Sequence, residues 1–572
     1  MENANVADIF DEIADLLELD QDDEFRVRAY RSAARTIRNL PQRLEDLAEA
    51  GEDLAEIPDI GERSATKIHE ILATGTCERL QELRDQVPAG LAELMRVPQL
   101  GPKTVMQLHR ELGIEDLDDL QRAAEAGEIR ALEGLGEKTE QAVLAGVEHV
   151  RSGRGRLLLE EAAHLATSLG RKLDRIGTVN RWRVAGSFRR RKETVGDLDF
   201  VVQASDRQAA ADAIIAAAGV DEVLGRGQER LALRLSDGVQ VDVRLVDEAS
   251  FGAALLYFTG SKPHTIALRK LALGRAWKLN EYGLFKGTRR LAGATEASVY
   301  HRLNLPWIPP ELREQRGELE AADTDTLPAL LELEQIRGDL HAHTDATDGS
   351  AGIRAMAEAA RERGYDYLAI TDHSKHVSVA NGLDDAGVRE HAQHIRQIDE
   401  ELDGLWLLAG VEVDILADGS LDLRVETLEG LDWVVASVHS RFDLSEQAMT
   451  ERLVAAVESG LVHCLGHPTT RRLRKRDPVA FDADRLFAAC AEHGVYLEIN
   501  AQPDRLDLPD SFCQRAKRAG VRFSIATDAH RPEDLERMRF GVDVARRGWL
   551  ERQDVLNTLT LPELRKGIPA RG

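Results

Sequence analysis

From about residue 335 onward, short apolar runs alternate with amphipathic stretches of helical period; the clearest are YLAIT (367–371), WVVASVH (433–439), VYLEIN (495–500) and FSIAT (523–527). Strands that are apolar throughout are buried on both faces, and strands separated by helices run parallel. The pattern therefore predicts a βα barrel whose functional side chains stand at strand ends. Histidines and carboxylates occupy those ends: His341 and His343 in DLHAHTDATDGS, His373 in TDHS, Glu412 in GVEVD, His439 in SVHS, His467 in GHP, and Asp528 with His530 in TDAH. Seventeen histidines scattered at random would not fall into these places. Imidazole mixed with carboxylate suits Mn²⁺, Zn²⁺ or Fe²⁺ better than Mg²⁺.

At 572 residues the chain exceeds what one core supports, and three or four domains are expected. Residues 1–150 read as helical throughout, 151–245 as mixed α and β, 246–316 as mostly helical, and 317–334 as an acidic connector. The four cysteines form no CxxC pair, so neither a disulfide framework nor a thiolate zinc site is supported, which fits a reducing cytoplasm. No apolar run approaches a bilayer span, and residues 1–20 form an acidic amphipathic pattern unlike a signal peptide. A soluble, cytoplasmic protein without a membrane partner is expected. The net charge of −26 argues, taken alone, against nucleic acid. Binding is local, however, and basic clusters occur at RRRK (189–192), at RRLRKR (471–476) and around Arg26, Arg28 and Arg31.

The strand-like VGDLDF (195–200) places Asp197 and Asp199 on one face, where they repel each other unless a cation lies between them. A third acid, Asp242, sits among apolar neighbours in VQVDVR. Upstream, Gly186 and Ser187 open a turn suited to phosphate oxygens, within reach of the Arg190 fork. In the helical region, IPDIGERSATKIHEIL (57–72), VPQLGPKTVMQLHREL (97–112) and LEGLGEKTEQAVLAGV (132–147) each present a glycine turn feeding a helix start. Backbone amides at such a turn suit a phosphate independent of sequence.

These turns resemble helix-hairpin-helix DNA-binding motifs, with Gly61, Gly101, Gly134 and Gly136 at the contact; Gly134 and Gly136 supply the full glycine-hydrophobe-glycine form. With GSFRRRKETVGDLDF (186–200), YFTGS (257–261) and LNEYGLF (279–285) following in order, residues 1–316 resemble a family X DNA polymerase with a polymerase β-like core. The resemblance implies an N-terminal lyase-like helical domain (1–80), a fingers-type subdomain (81–150), a nucleotidyltransferase palm (151–245) and a helical thumb (246–316). It implies that Asp197, Asp199 and Asp242 hold two Mg²⁺ or Mn²⁺ ions, and that Gly186, Ser187 and Arg190 bind the triphosphate. Tyr257, Phe258 and Gly260 would border the sugar, with Arg269, Asn280, Glu281 and Tyr282 near the template and nascent pair. Lys262 and Thr265 depart from the family pattern. Lys67 aligns with a Schiff-base lysine of the family's lyase domain, although a phosphate-contacting lysine beside Arg63 fits the same position and is the preferred reading.

Residues 335–572 resemble a PHP (polymerase and histidinol phosphatase) domain, a distorted (β/α)7-type barrel. By that resemblance His341, His343, Glu412 and Asp528 hold one metal, Asp348, His373 and His467 a second, and Glu412, His439 and His530 a third, with Asp345 the competitor for the place of Asp348. The implied protein fills short gaps in repair and carries a metal-dependent 3′ to 5′ exonuclease, with AP endonuclease activity in some relatives. Its partners would be gapped or primer-template DNA and dNTPs, and it would act as a monomer. A phosphoesterase with weak polymerisation, and a DNA-end binding scaffold, are the alternative functions.

Overall fold

The computed structural model describes residues 3–567, except 20–22, 41–43, 87–90, 92–93, 96, 98–99, 133, 152–155, 237 and 378–379. Gln99, which precedes the second glycine turn, thus lies outside the described residues. The chain forms two compact units, Met1–Arg156 and Leu157–Gly572.

The first unit is helical, as its pattern predicts. The expected boundary near residue 80 does not divide its core: buried side chains from Val6 to Val147 form one cluster, including Phe10, Ile68, Leu83, Leu108 and Leu120. Amphipathic helices this short depend on shared tertiary packing rather than on propensity.

The second unit opens with β1 (Leu157–Leu158), β2 (Val179–Val184), β3 (Thr194–Val195), β4 (Leu198–Ala204), β5 (Val220–Arg226), β6 (Arg230–Leu235) and β7 (Gln240–Val246). β1 pairs with β3, and the rest form a mixed five-stranded sheet of order β2-β4-β7-β6-β5 in which β4 and β7 are parallel neighbours. Beyond it come the helices Phe251–Thr259 and Lys262–Gly274, and then β8 (Lys278–Asn280), β9 (Gly283–Lys286) and β10 (Arg289–Ala292). This small antiparallel sheet lies within the stretch that reads as mostly helical and was not itself expected. Its strands are three or four residues long, too short for a period-2 pattern to register.

The acidic connector, residues 317–334, is also a folded part of the unit. Glu318 is fully buried with one oxygen 2.6 Å from His264 Nδ1, and Leu319, Ala322, Leu330 and Leu331 are buried. Acidic composition concealed this packing because the helix Glu318–Asp323 buries its first carboxylate against a specific partner.

The barrel follows: β11 (Gly338–Ala342), β12 (Tyr367–Ile370), β13 (Trp406–Asp414), β14 (Trp433–Ser437), β15 (Cys464–Leu465), β16 (Tyr496–Asn500) and β17 (Phe523–Ala526), all parallel and in sequence order. A bridge between Ala342 and Ala529 brings the first strand to the last. One continuous set of buried side chains runs from the palm sheet into the barrel, from Leu159 to Val555. Among the described residues no helix is long and apolar enough to cross a membrane.

Candidate functional site

In the palm, the parallel register sets Asp199 directly beside Asp242, and Asp197 lies in the bend that leads into β4 rather than on the expected continuous strand. Ligand oxygens of all three lie within 4.8 Å of one another. Burial, then the charges of Asp197 and Asp242, push the Asp199 carboxyl up to about 7, against the pull of Arg244 and Arg190. A hard divalent ion such as Mg²⁺ or Mn²⁺ removes this mutual repulsion, so the donor set fits such an ion. Asp242 is held from both sides: Oδ1 accepts from Arg230 Nε (3.1 Å) and Nη2 (3.0 Å), and Oδ2 from Gln240 Nε2 (2.8 Å). Neither holder stood out in the sequence.

Gly186 has φ +61°, and a Cβ there would lie 2.1 Å from Asp199 Oδ2, so only glycine fits. Ser187 follows it in the short helix Gly186–Arg189. Arg190 Nε donates to Glu314 Oε1 at 3.0 Å and Nη1 to the Thr259 carbonyl at 2.5 Å. Gly260, at φ +71°, leaves room for that guanidinium, whose Nη1 would be 3.3 Å from a Cβ. Gly186 thus abuts Asp199, and the Arg190 guanidinium, packed beside Gly260, is near enough for its charge to act on Asp199. Tyr257 and Phe258 meet edge to face with centroids 5.2 Å apart, and Arg244 lies 4.4 Å over the Phe258 ring. Arg269 and Lys262 are exposed, while Thr265 is buried. Asn280 Oδ1 accepts from the amides of Tyr282 (3.1 Å) and Gly283 (3.2 Å), which makes it a turn former, and the Tyr282 hydroxyl donates to Glu229.

At the mouth of the barrel three groups of metal-donor side chains stand close together: His341, His343 and Asp528; His343, Asp348, His373 and His530; and His373, Glu412 and His439. The side chains group differently from the expected sets: His530 stands with Asp348 and His373, His373 also stands with Glu412 and His439, and His467 is in none of the three groups. Asp348 lies 3.3 Å from His530 and 3.4 Å from His373, whereas His467 approaches Glu412 Oε1 at 3.0 Å. Asp348 rather than Asp345 joins these histidines: it stands in a group with His343, His373 and His530, whereas Asp345 stands in none of the groups.

Burial alone would lower the His341 imidazole, but Glu498 and Glu412 outweigh it and raise it well above its ordinary value. His373 is carried up to about 10, where Glu412 and Asp348 overcome burial. His467, in which burial and then Arg505 dominate, falls to about 4. His343 Nδ1 and His467 Nδ1 are buried without a hydrogen bond. Donor atoms that crowd together yet do not hydrogen-bond are oriented as ligands around shared ions would be, and imidazole with carboxylate suits Mn²⁺, Zn²⁺ or Fe²⁺.

The sequence reading missed the side chains that orient these ligands. Glu498 on β16 lies 2.6 Å from His341 Nδ1 and accepts the His467 amide, and Asp414 Oδ1 lies 3.1 Å from His439 Nδ1. Fixing the far nitrogen of an imidazole selects the tautomer that presents the near one. A carboxylate inside the otherwise apolar run VYLEIN was the available signal for Glu498. The cleft above these groups, about 350 Å³, is rimmed by Arg472, Arg505 and Arg537.

The basic runs are largely neutralised from within. Arg189 binds Glu296 through two nitrogens, Arg191 faces Asp543 at 3.4 Å, Arg471 faces Glu193 and Arg474 faces Glu161, while Arg31 is ringed by Asp11, Asp15 and Glu18. The glycine turns differ. Gly61 and Gly101 are exposed helix caps with no side-chain capping bond, and a Cβ at Gly61, Gly101, Gly134 or Gly136 would meet nothing within 4 Å. Only Gly134, at φ +81°, is required by its own backbone. Lys67 Nζ donates to the Arg63 carbonyl at 3.2 Å and lies 5.9 Å from the Tyr30 ring centre.

Sequence-family models agree with this architecture. A helix-hairpin-helix domain matches residues 1–77, a SAM-like helix-hairpin-helix tandem 91–148, the DNA polymerase beta thumb 254–314 and the PHP domain 339–502. The DNA polymerase/3'-5' exonuclease PolX of Bacillus subtilis (strain 168) is 34% identical over 568 residues, 99% of each chain. DNA polymerase lambda of Rattus norvegicus is 26% identical over 328 residues, 51% of this chain and 53% of its own. A protein of Thermoanaerobacter sp. (strain X514) named "Probable phosphatase Teth514_1060" is 28% identical over 232 residues, 38% of this chain and 89% of its own. The full-length match, together with a carboxylate trio in the palm and a histidine-rich barrel, identifies the chain as a member of the family X DNA polymerases that carry a C-terminal PHP domain.

Proposed function

We propose that this protein extends DNA primers across short gaps at its palm and removes 3′-terminal nucleotides at its barrel, as a monomer acting in cytoplasmic DNA repair. The observation that carries the reading is the presence, in one compact unit, of two separate donor clusters: Asp197, Asp199 and Asp242 in the palm, and the histidine–carboxylate groups of the barrel.

In the palm, Gly186, Ser187 and Arg190 receive the triphosphate of a dNTP, and Tyr257, Phe258 and Gly260 confine its sugar. Asp197, Asp199 and Asp242 would hold two Mg²⁺ or Mn²⁺ ions. Divalent ions in such sites neutralise charge on phosphoryl oxygens and acidify the attacking hydroxyl or water. Arg230 and Gln240 keep the Asp242 carboxylate oriented. In the barrel, up to three Mn²⁺, Zn²⁺ or Fe²⁺ ions are held by His341, His343, Asp348, His373, Glu412, His439, His467, Asp528 and His530, with Glu498 and Asp414 fixing the imidazoles. The exposed amides after Gly61, Gly101 and Gly136 hold the DNA backbone without regard to sequence, and Lys67 contacts a 5′-phosphate. The phosphatase-like relative favours a second hydrolytic use of the barrel, on abasic sites or phosphate ends.

The test supplies a gapped duplex with a labelled primer, dNTPs and Mg²⁺ or Mn²⁺, and follows extension and shortening of the same strand. Both are expected, with shortening dominant when dNTPs are withheld. A protein that only shortens the primer under all conditions refutes the polymerase half of the reading.

A further inference from the structure

Arg190, the guanidinium facing the palm carboxylates, is not held by the palm alone. Arg547, the last residue of the barrel helix Met538–Arg547, is 3% exposed, and its Nη1 donates to the backbone carbonyl of Arg190 at 2.6 Å. The same nitrogen lies 3.1 Å from Glu314 Oε1, the oxygen that accepts from Arg190 Nε at 3.0 Å. The other side of the Arg547 fork, Nη2, meets Asp510 Oδ2 at 2.6 Å, and that oxygen is shared with Arg316 at 3.0 Å. Arg547 therefore touches both ends of Arg190, its main chain directly and its side chain through Glu314, and is itself anchored to the barrel through Asp510.

Two consequences follow from ordinary electrostatics. A guanidinium whose Nη1 donates to the Arg190 carbonyl and to Glu314 while its Nη2 is ion-paired with Asp510 is held from two sides, so Arg190 approaches the nucleotide site in one orientation. Holding a phosphate ligand in its bound geometry before the phosphate arrives removes an ordering cost from binding. The geometry points to Arg547 as a positioning residue for nucleotide binding, contributed to the palm by the hydrolytic barrel. This rests on the reading of Arg190 as a triphosphate ligand. Deleting the Arg547 charge leaves each acid a cation, Arg190 for Glu314 and Arg316 for Asp510, so the substitution does not strand a buried carboxylate.

The test uses the full chain and compares wild type with Arg547→Met, Arg547→Lys and Arg190→Ala in single-nucleotide insertion on gapped DNA, with exonuclease activity and melting midpoint measured on each protein. Arg547→Met is expected to raise KM for dNTP at least about tenfold, one factor of ten in binding, with kcat and exonuclease rate little changed. Arg547→Lys, which keeps the charge but not the fork, is expected to fall between Met and wild type. A KM within twofold of wild type in both Arg547 variants, while Arg190→Ala raises it, overturns the inference alone. A joint fall of kcat, exonuclease and melting midpoint in Arg547→Met, with no change specific to KM, also overturns it, because a purely structural strut behaves that way. An unchanged KM in Arg190→Ala overturns the nucleotide reading beneath it.

Discussion

Asp199→Asn tests whether the palm trio is a cation site through stability rather than activity. In the unfolded chain this carboxyl ionises near its ordinary value of 3.8, but in the fold it keeps its proton up to about 7, because burial and then Asp197 and Asp242 disfavour the charge. A raised carboxyl destabilises the fold progressively as pH rises above 3.8, and the loss levels off above 7. Between pH 5 and pH 8 the folded protein therefore loses about two units of proton-binding advantage, or ~2.7 kcal/mol at 1.36 kcal/mol per unit. Asp199 is partly open to solvent, and screening reduces this to on the order of 2 kcal/mol. Denaturant unfolding in chelator, followed by tryptophan fluorescence, should show wild type losing this amount between the two pH values while Asp199→Asn stays flat in comparison. Adding Mn²⁺ or Mg²⁺ at pH 8 should restore stability to wild type, since a ligand of the folded state alone stabilises by mass action, and should do less for the variant. Parallel pH slopes in the two proteins, or an equal response to metal, would refute the argument that Asp199 is destabilised by its neighbours and relieved by a cation.

Asp242→Ala should lower primer extension by at least ~10²-fold while a gel shift on gapped DNA is retained, because the carboxylate orients a charge at the reacting end and does not grip the duplex. His341→Ala should remove primer shortening and spare extension; loss of both, with intact circular dichroism, would contradict the separation of the two centres. Deoxynucleotides should be inserted at least about tenfold better than ribonucleotides, a difference of ~1.4 kcal/mol, if Tyr257 and Phe258 wall the sugar. Equal insertion of both would remove that wall.

What could be read beforehand divides along a physical line. That the barrel's histidines and carboxylates gather at one mouth was legible because a parallel strand projects its functional residue at one end, so each lies inside a short motif such as TDHS or SVHS that needs no partner to be recognised. The palm trio was legible for a similar reason, since Asp197 and Asp199 stand close together in VGDLDF and Asp242 interrupts an apolar strand. Pairing was not legible. That His530 rather than His467 stands beside Asp348 depends on how seven strand ends converge, and Glu498 meets His341 from 157 residues away. The basic runs misled for the same reason: RRLRKR appeared free to bind phosphate, but the partner of Arg471 is Glu193, 278 residues earlier. Residues 317–334 looked like a solvated spacer because their composition is acidic, while the burial of Glu318 is decided by His264 on another helix.

The bridge that joins Ala342 to Ala529 also sets an order of events during synthesis. The palm carboxylates all lie between residues 197 and 242, so a nascent chain holds the whole trio before the barrel begins to emerge. The hydrolytic cluster needs His341 from the first strand and Asp528 from beyond the last, and it cannot assemble until translation has passed residue 530. A chain arrested earlier would carry part of the barrel and an incomplete ligand set.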